Sequence, residues 1–160
     1  MTQITEDYVS FETAKLLKEK GFDYVSLYCY EEKGINDILL VILSAPLSNS
    51  DLDNTIEPHK CYSAPTLQMA MKWLRETHSI LLVVDYDYEC TDTSYFYKIY
   101  RLGEHGKPES VAVKGVSYDK DGNPTEHIAF YRDYERSYGD YGAYEEACEA
   151  GIKYCLENLI

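Results

Sequence analysis

Three stretches of the chain carry apolar residues at helical spacing, and the segments between them alternate as strands do. Phe11, Ala14 and Leu17 fall on one side of a helix, with Leu16 beside them. Ser10 precedes them as an N-cap, and Glu12 meets the positive end of the helix dipole. The pattern predicts a helix over 11–20. Gly21 ends it in a left-handed conformation, and Phe22 folds back on Leu17. A second stripe, Leu67, Ala70, Met71 and Leu74 with Met69 and Trp73 beside it, predicts a well-buried helix that opens at Pro65. A third, Tyr144, Ala147, Cys148, Gly151, Ile152, Cys155, Leu156 and Leu159, predicts a helix over 143–158. Glu145 and Glu146 favour its start, and the spacing of Glu149 and Lys153 allows them to pair. Gly151 weakens that helix by about 1 kcal/mol. Its place on the apolar stripe predicts a close approach to another element.

Between the first two helices, residues 24–30 alternate. Tyr24, Ser26, Tyr28 and Tyr30 share one face; Val25, Leu27 and Cys29 share the other. After a turn at 31–34, the run Ile38-Leu39-Leu40-Val41-Ile42-Leu43 is apolar on both faces. That predicts a central strand covered on both sides, paired with its predecessor as a hairpin. Residues 44–60 carry Pro46, Asn49, Asp51, Asp53, Asn54 and Pro58 and read as a long polar loop, the best loop candidate for function. Strands are expected near 80–89, 94–102, 110–118 and 126–134. The segment Asp119-Lys120-Asp121-Gly122-Asn123-Pro124 forms a hairpin loop between the last two. The order α-β-β-α-β-β-β-β-α predicts an α+β fold: an antiparallel meander with three helices mainly on one face. The length, 160 residues, suits a single domain.

Charge narrows the range of partners. A net charge of −13 and a pI near 4.6 argue against direct nucleic-acid binding and against anionic membranes, both of which need Lys and Arg. The acidity keeps the chain soluble and is compatible with a basic protein partner or a divalent cation. The five cysteines, Cys29, Cys61, Cys90, Cys148 and Cys155, are odd in number and lack a Cys-x-x-Cys spacing, so neither a disulfide framework nor a zinc knuckle is signalled. The first residues have neither the basic nor the apolar region of a signal peptide, and no run approaches the roughly 20 apolar residues of a membrane span. A reducing cytoplasm is the expected compartment.

Candidate chemistry is sparse. Asp85, Asp87 and Glu89 would share one face of a strand and could seed a Mg²⁺ or Ca²⁺ site; an outer, solvated strand face is the commoner explanation. Asp119, Asp121 and Asn123 imitate the start of a calcium loop, but Gly122 falls at the fourth position and no acid fills the twelfth, so a hairpin turn is the better reading. His59 and Cys61 are a weak nucleophile or half-metal pair. No cofactor is expected. Seventeen tyrosines are present, eleven of them between Tyr86 and Tyr144 inclusive. Tyr86 and Tyr88 share one strand face, Tyr95 and Tyr97 share a face of the next, and together they could form an aromatic binding surface. Coverage of an open sheet face is the structural alternative.

Residues 10–22, 65–76 and 144–159 taken together resemble a family of small acidic proteins encoded by Bacteroides-type gut bacteria and by their phages and prophages. The resemblance covers the helices, about a quarter of the chain. It implies a bacterial or phage cytoplasmic protein and carries no activity and no site residues. The leading expectation is a non-enzymatic binding protein, accessory to phage or bacterial physiology, with a protein partner or a second copy of itself. An acidic DNA mimic that inhibits a nucleic-acid enzyme is one alternative. A metal-assisted hydrolase using Asp85, Asp87 and Glu89 is the other.

Overall fold

The computed structural model describes residues 7–34, 37–55, 61–86, 95–103, 108–110, 112–118, 124–130 and 138–160. It has an α+β fold with antiparallel sheets. The chain divides into two compact units, one made of residues 1–78 with 152–160 and the other of residues 79–151.

In the first unit, α1 (Phe11–Glu19) is capped as its sequence predicts. The Ser10 side chain accepts from the Thr13 amide. At the other end the Phe22 amide donates to the Leu17 carbonyl at 2.9 Å and the Gly21 amide to Lys18 at 3.1 Å, with Gly21 at φ +86°. These are the two bonds of a Schellman motif, and only glycine adopts that φ without strain. The strands β1 (Ser26–Gly34), β2 (Asp37–Leu47) and β3 (Cys61–Ser63) form an antiparallel sheet in the order β2-β1-β3. Between β2 and β3 lies α2 (Asn49–Thr55). The stretch expected to be one polar loop over 44–60 therefore begins as strand and continues as a helix, and residues 56–60 lie outside the described residues.

A reciprocal cap starts α2. The Ser48 amide donates to Asp51 Oδ2 at 3.0 Å, and the Asp51 amide donates to Ser48 Oγ at 3.2 Å. Its one apolar residue, Leu52, is buried with Cys29 and Cys61. Asn49 is buried and holds two strangers together. Its Nδ2 donates to the Phe22 carbonyl at 2.7 Å, and its Oδ1 accepts from the Ser63 amide at 2.9 Å. The helix α3 (Leu67–His78) starts two residues after Pro65, with Thr66 Oγ1 accepting from the Met69 amide. It buries Leu67, Ala70, Trp73 and Leu74.

One expectation is overturned here. The apolar run in β2 is not a central, doubly covered strand: among the described residues β2 has β1 as its one neighbour and lies at the sheet edge. Ile38, Leu39, Leu40 and Ile42 are exposed, at 38%, 43%, 45% and 65%. The cover stops short of them. Phe11 of α1 stacks edge-on against Tyr30 and Tyr62, on β1 and β3, and the residues of β2 packed against the buried Cys29–Leu52–Cys61 cluster are Val41, Leu43 and Leu47.

In the second unit, β4 (Ile80–Tyr86) and β5 (Tyr95–Leu102) pair antiparallel, β6 (Pro108–Ser110) adds to β5, and β9 (Tyr138–Tyr141) also pairs with β5. The hairpin expected around residues 119–124 is present in β7 (Ala112–Tyr118) and β8 (Pro124–Phe130), which pair from Ala112↔Phe130 to Tyr118↔Pro124. The last helix, α4 (Tyr144–Asn158), buries Ala147, Cys148, Gly151, Ile152, Cys155 and Leu156, the stripe read from its sequence. The division between the two units falls between Gly151 and Ile152.

Candidate functional site

The tyrosine strands place their side chains by simple alternation. Register pairs Tyr86 with Tyr95, Val84 with Tyr97 and Leu82 with Ile99, so these residues share one face of the β4–β5 pair. The Tyr86 and Tyr95 rings meet edge-on, 5.3 Å between centroids, and Tyr95 meets Tyr144 of α4 at 6.1 Å. Both phenols are half-buried. Tyr97 is not a surface residue: it is 8% exposed and belongs to the core, with Gly151 of α4 packed against its ring. The expected patch of four presented phenols is therefore reduced by the helix that covers it. Tyr88 lies outside the described residues.

Of the three candidate carboxylates, Asp85 is the one described. Asp85 points to the opposite face, where Oδ2 accepts from Lys98 Nζ at 3.1 Å and the same ammonium sits 4.8 Å from the Phe96 ring centroid. The Tyr86 amide and Lys98 hold its carboxyl below the usual carboxylate range. Asp87 and Glu89 lie outside the described residues, as do His59 and the 119–123 loop. Among the described residues no three His, Cys, Asp or Glu side chains are gathered to hold a metal ion.

Burial disarms the described thiols. Desolvation, the nearby Cys61 thiol and Glu31 push Cys29 up to about 12, and desolvation alone pushes Cys155 to about 12. Desolvation also raises Cys61 and Cys148. A thiol held protonated is a poor nucleophile, so the Cys61 half of the His59–Cys61 pair is unsuited to attack near neutral pH. All four are free. Denatured, unreduced protein should therefore titrate five thiols, counting Cys90, while Cys29, Cys61, Cys148 and Cys155 of the native protein should resist iodoacetamide at pH 8. Recovery of three thiols or one would contradict this.

His78 is the described imidazole with a shifted titration. Its ring lies 4.5 Å from that of Trp73, Nε2 has no hydrogen-bond partner among the described residues, and desolvation lowers its pKa below 6.5. The fold favours the neutral ring, so the unfolded chain binds the proton first. Stability contributed by His78 is complete above pH 6.5 and declines as pH falls through and below that value. Between pH 7 and 5 the wild type should lose more of its melting temperature than His78→Leu does. An equal loss in both would show that His78 titrates alike in both states.

Among the described residues, four of the exposed large apolar side chains, Ile38, Leu39, Leu40 and Ile42, lie on β2, which carries none of the candidate site residues read from the sequence. Register sets Ile42 opposite Tyr28, Leu40 opposite Tyr30 and Ile38 opposite Glu32, so Ile38, Leu40 and Ile42 follow one another along one face of the edge strand. Val25 and Leu27 add further exposed apolar area in the same unit, at 54% and 40%. Asp37 is the sole charged residue of β2, in a chain of net charge −13. Contiguous apolar surface of this kind is uncommon on soluble chains and marks sites of association. No helix among the described residues is long and apolar enough to cross a membrane. The chain has no match among protein-family models, curated proteins or solved structures.

Proposed function

We propose that the protein is a non-enzymatic interaction module that works through β2, binding a protein strand or surface along Ile38–Ile42. The observation that carries this reading is the exposure of that run on an edge strand. An edge strand offers its outward backbone N–H and C=O groups for pairing, and apolar side chains beside them supply the driving force. If a partner covered the exposed portions of Ile38, Leu39, Leu40 and Ile42, about 25 cal/mol would be gained per Å² of apolar area removed from water.

The reading is tested by photocrosslinking from the strand. Benzoylphenylalanine replaces Ile42 in one variant and exposed Lys72 of α3 in another, and both are irradiated in the producing cells. The position-42 variant should give one discrete adduct, identified by peptide mass spectrometry as a copy of this chain or as a single other protein. Adducts no stronger than those from position 72 would overturn the reading.

A further inference from the structure

The occupant of β2 can be named from the strand's own sequence. We propose that it is a second copy of this chain, its β2 paired antiparallel about a two-fold axis that passes through Leu40. The inference rests on the reading of β2 as an interface.

Three observations carry it. First, β2 is regularly paired with β1 from Ile38 to Ile42, and the register shifts on either side, so the straight part of the strand is five residues long with Leu40 at its centre. Second, that stretch is symmetric in chemistry: Ile38-Leu39-Leu40-Val41-Ile42. About the Leu40 axis, Ile38 meets Ile42 of the second copy, Leu39 meets Val41, and Leu40 meets Leu40. A two-fold interface must be complementary to itself, and this segment is. Cross-strand aliphatic pairs of this kind stabilise antiparallel strands. Third, the segment is free of charge. A chain of net charge −13 repels its own copies over most of its surface, but in β2 only Asp37 is charged. In the proposed register the two Asp37 side chains lie six residues apart along the strands, roughly 20 Å at about 3.4 Å per residue. That exceeds a Debye length of about 8 Å at physiological salt. The product is one continuous sheet in the order β3-β1-β2-β2-β1-β3, which removes the β2 edge from both copies.

The experiment combines sedimentation equilibrium with disulfide trapping on the full chain. Wild type should approach twice the 18.5 kDa chain mass as concentration rises. Ile42→Asp, at an exposed position, should raise the dimer dissociation constant by about tenfold or more, since each dimer loses two contacts and gains two buried carboxylates. Leu40→Cys places a thiol on the axis opposite its own copy. Oxidised glutathione should then convert two protein thiols to one intermolecular disulfide, releasing two molecules of glutathione. Ile38→Cys, whose neighbour across the axis is Ile42, should trap far less. A wild type that stays at 18.5 kDa with no trapping through Cys at position 40 would overturn the self-pairing. So would trapping equal at positions 38 and 40, which would mean a different register. A position-42 adduct with one other protein, together with a monomeric chain, would retain β2 as an interface and remove only the second copy.

Discussion

Trp73→Ala should cost about 3–5 kcal/mol, the cost of truncating a fully buried aromatic. Trp73 is 2% exposed, stands on the buried stripe of α3, and meets Phe22 edge-on at 5.5 Å and His78 at 4.5 Å. Phe22 is held in turn by the Schellman bond of α1, and its carbonyl is tied to α2 through Asn49. Removal of the indole therefore opens a cavity where three helices of the first unit are fastened together. A loss of this size is a large fraction of the roughly 5–15 kcal/mol that stabilises a typical domain. Chemical denaturation followed by circular dichroism gives the number. Trp73→Phe, which keeps a ring against Phe22, should lose much less. A loss below about 1 kcal/mol for Trp73→Ala would mean that the site collapses to fill the space.

Gly151→Leu should cost about 1–3 kcal/mol by overpacking. A Cβ at position 151 would stand 2.6 Å and 3.0 Å from the two methyls of Leu82 and 3.1 Å from Tyr97 Cγ. The Leu82 methyls can rotate away; the ring atom of Tyr97, buried in the sheet, has less room to yield. Gly151→Ala is therefore a sharper probe than it looks. It gains up to about 1 kcal/mol in helix propensity and meets this contact in full, so the two effects nearly cancel. Melting temperature should change little for alanine and fall for leucine by about 2–4 °C per kcal/mol. A leucine variant that melts at or above wild type would show that α4 can back away from β4 and β5.

The same glycine shows what the sequence made legible. An intrinsically poor helix residue in the middle of an apolar stripe has few explanations, and close packing is the commonest. The caps of α1 and the stripes of α1, α3 and α4 were equally readable, because periodicity and capping are local properties. The helix α2 was not, since Leu52 is its only apolar residue and no stripe exists. Ser48 and Asp51, a Ser-x-x-Asp pair, were the signal available for its start. The exposure of β2 was illegible for a different reason. A run that is apolar on both faces reports only that both faces suit burial, and the sequence does not say whether the cover comes from this chain or from another. The burial of Tyr97 was hidden likewise: alternation assigned it a face shared with Tyr95, but only the position of α4 decides that this face is the inner one.

Hydrogen exchange of the β2 amides at two protein concentrations tests the central claim most directly. An edge strand bonds its inward-facing groups to β1 and leaves the outward-facing ones to solvent, unless a partner strand takes them. If β2 is an interface between copies, amides within Ile38–Ile42 should exchange markedly more slowly at high protein concentration than at low, while those of α3 stay unchanged. Exchange within Ile38–Ile42 that is fast and independent of concentration would contradict the pairing.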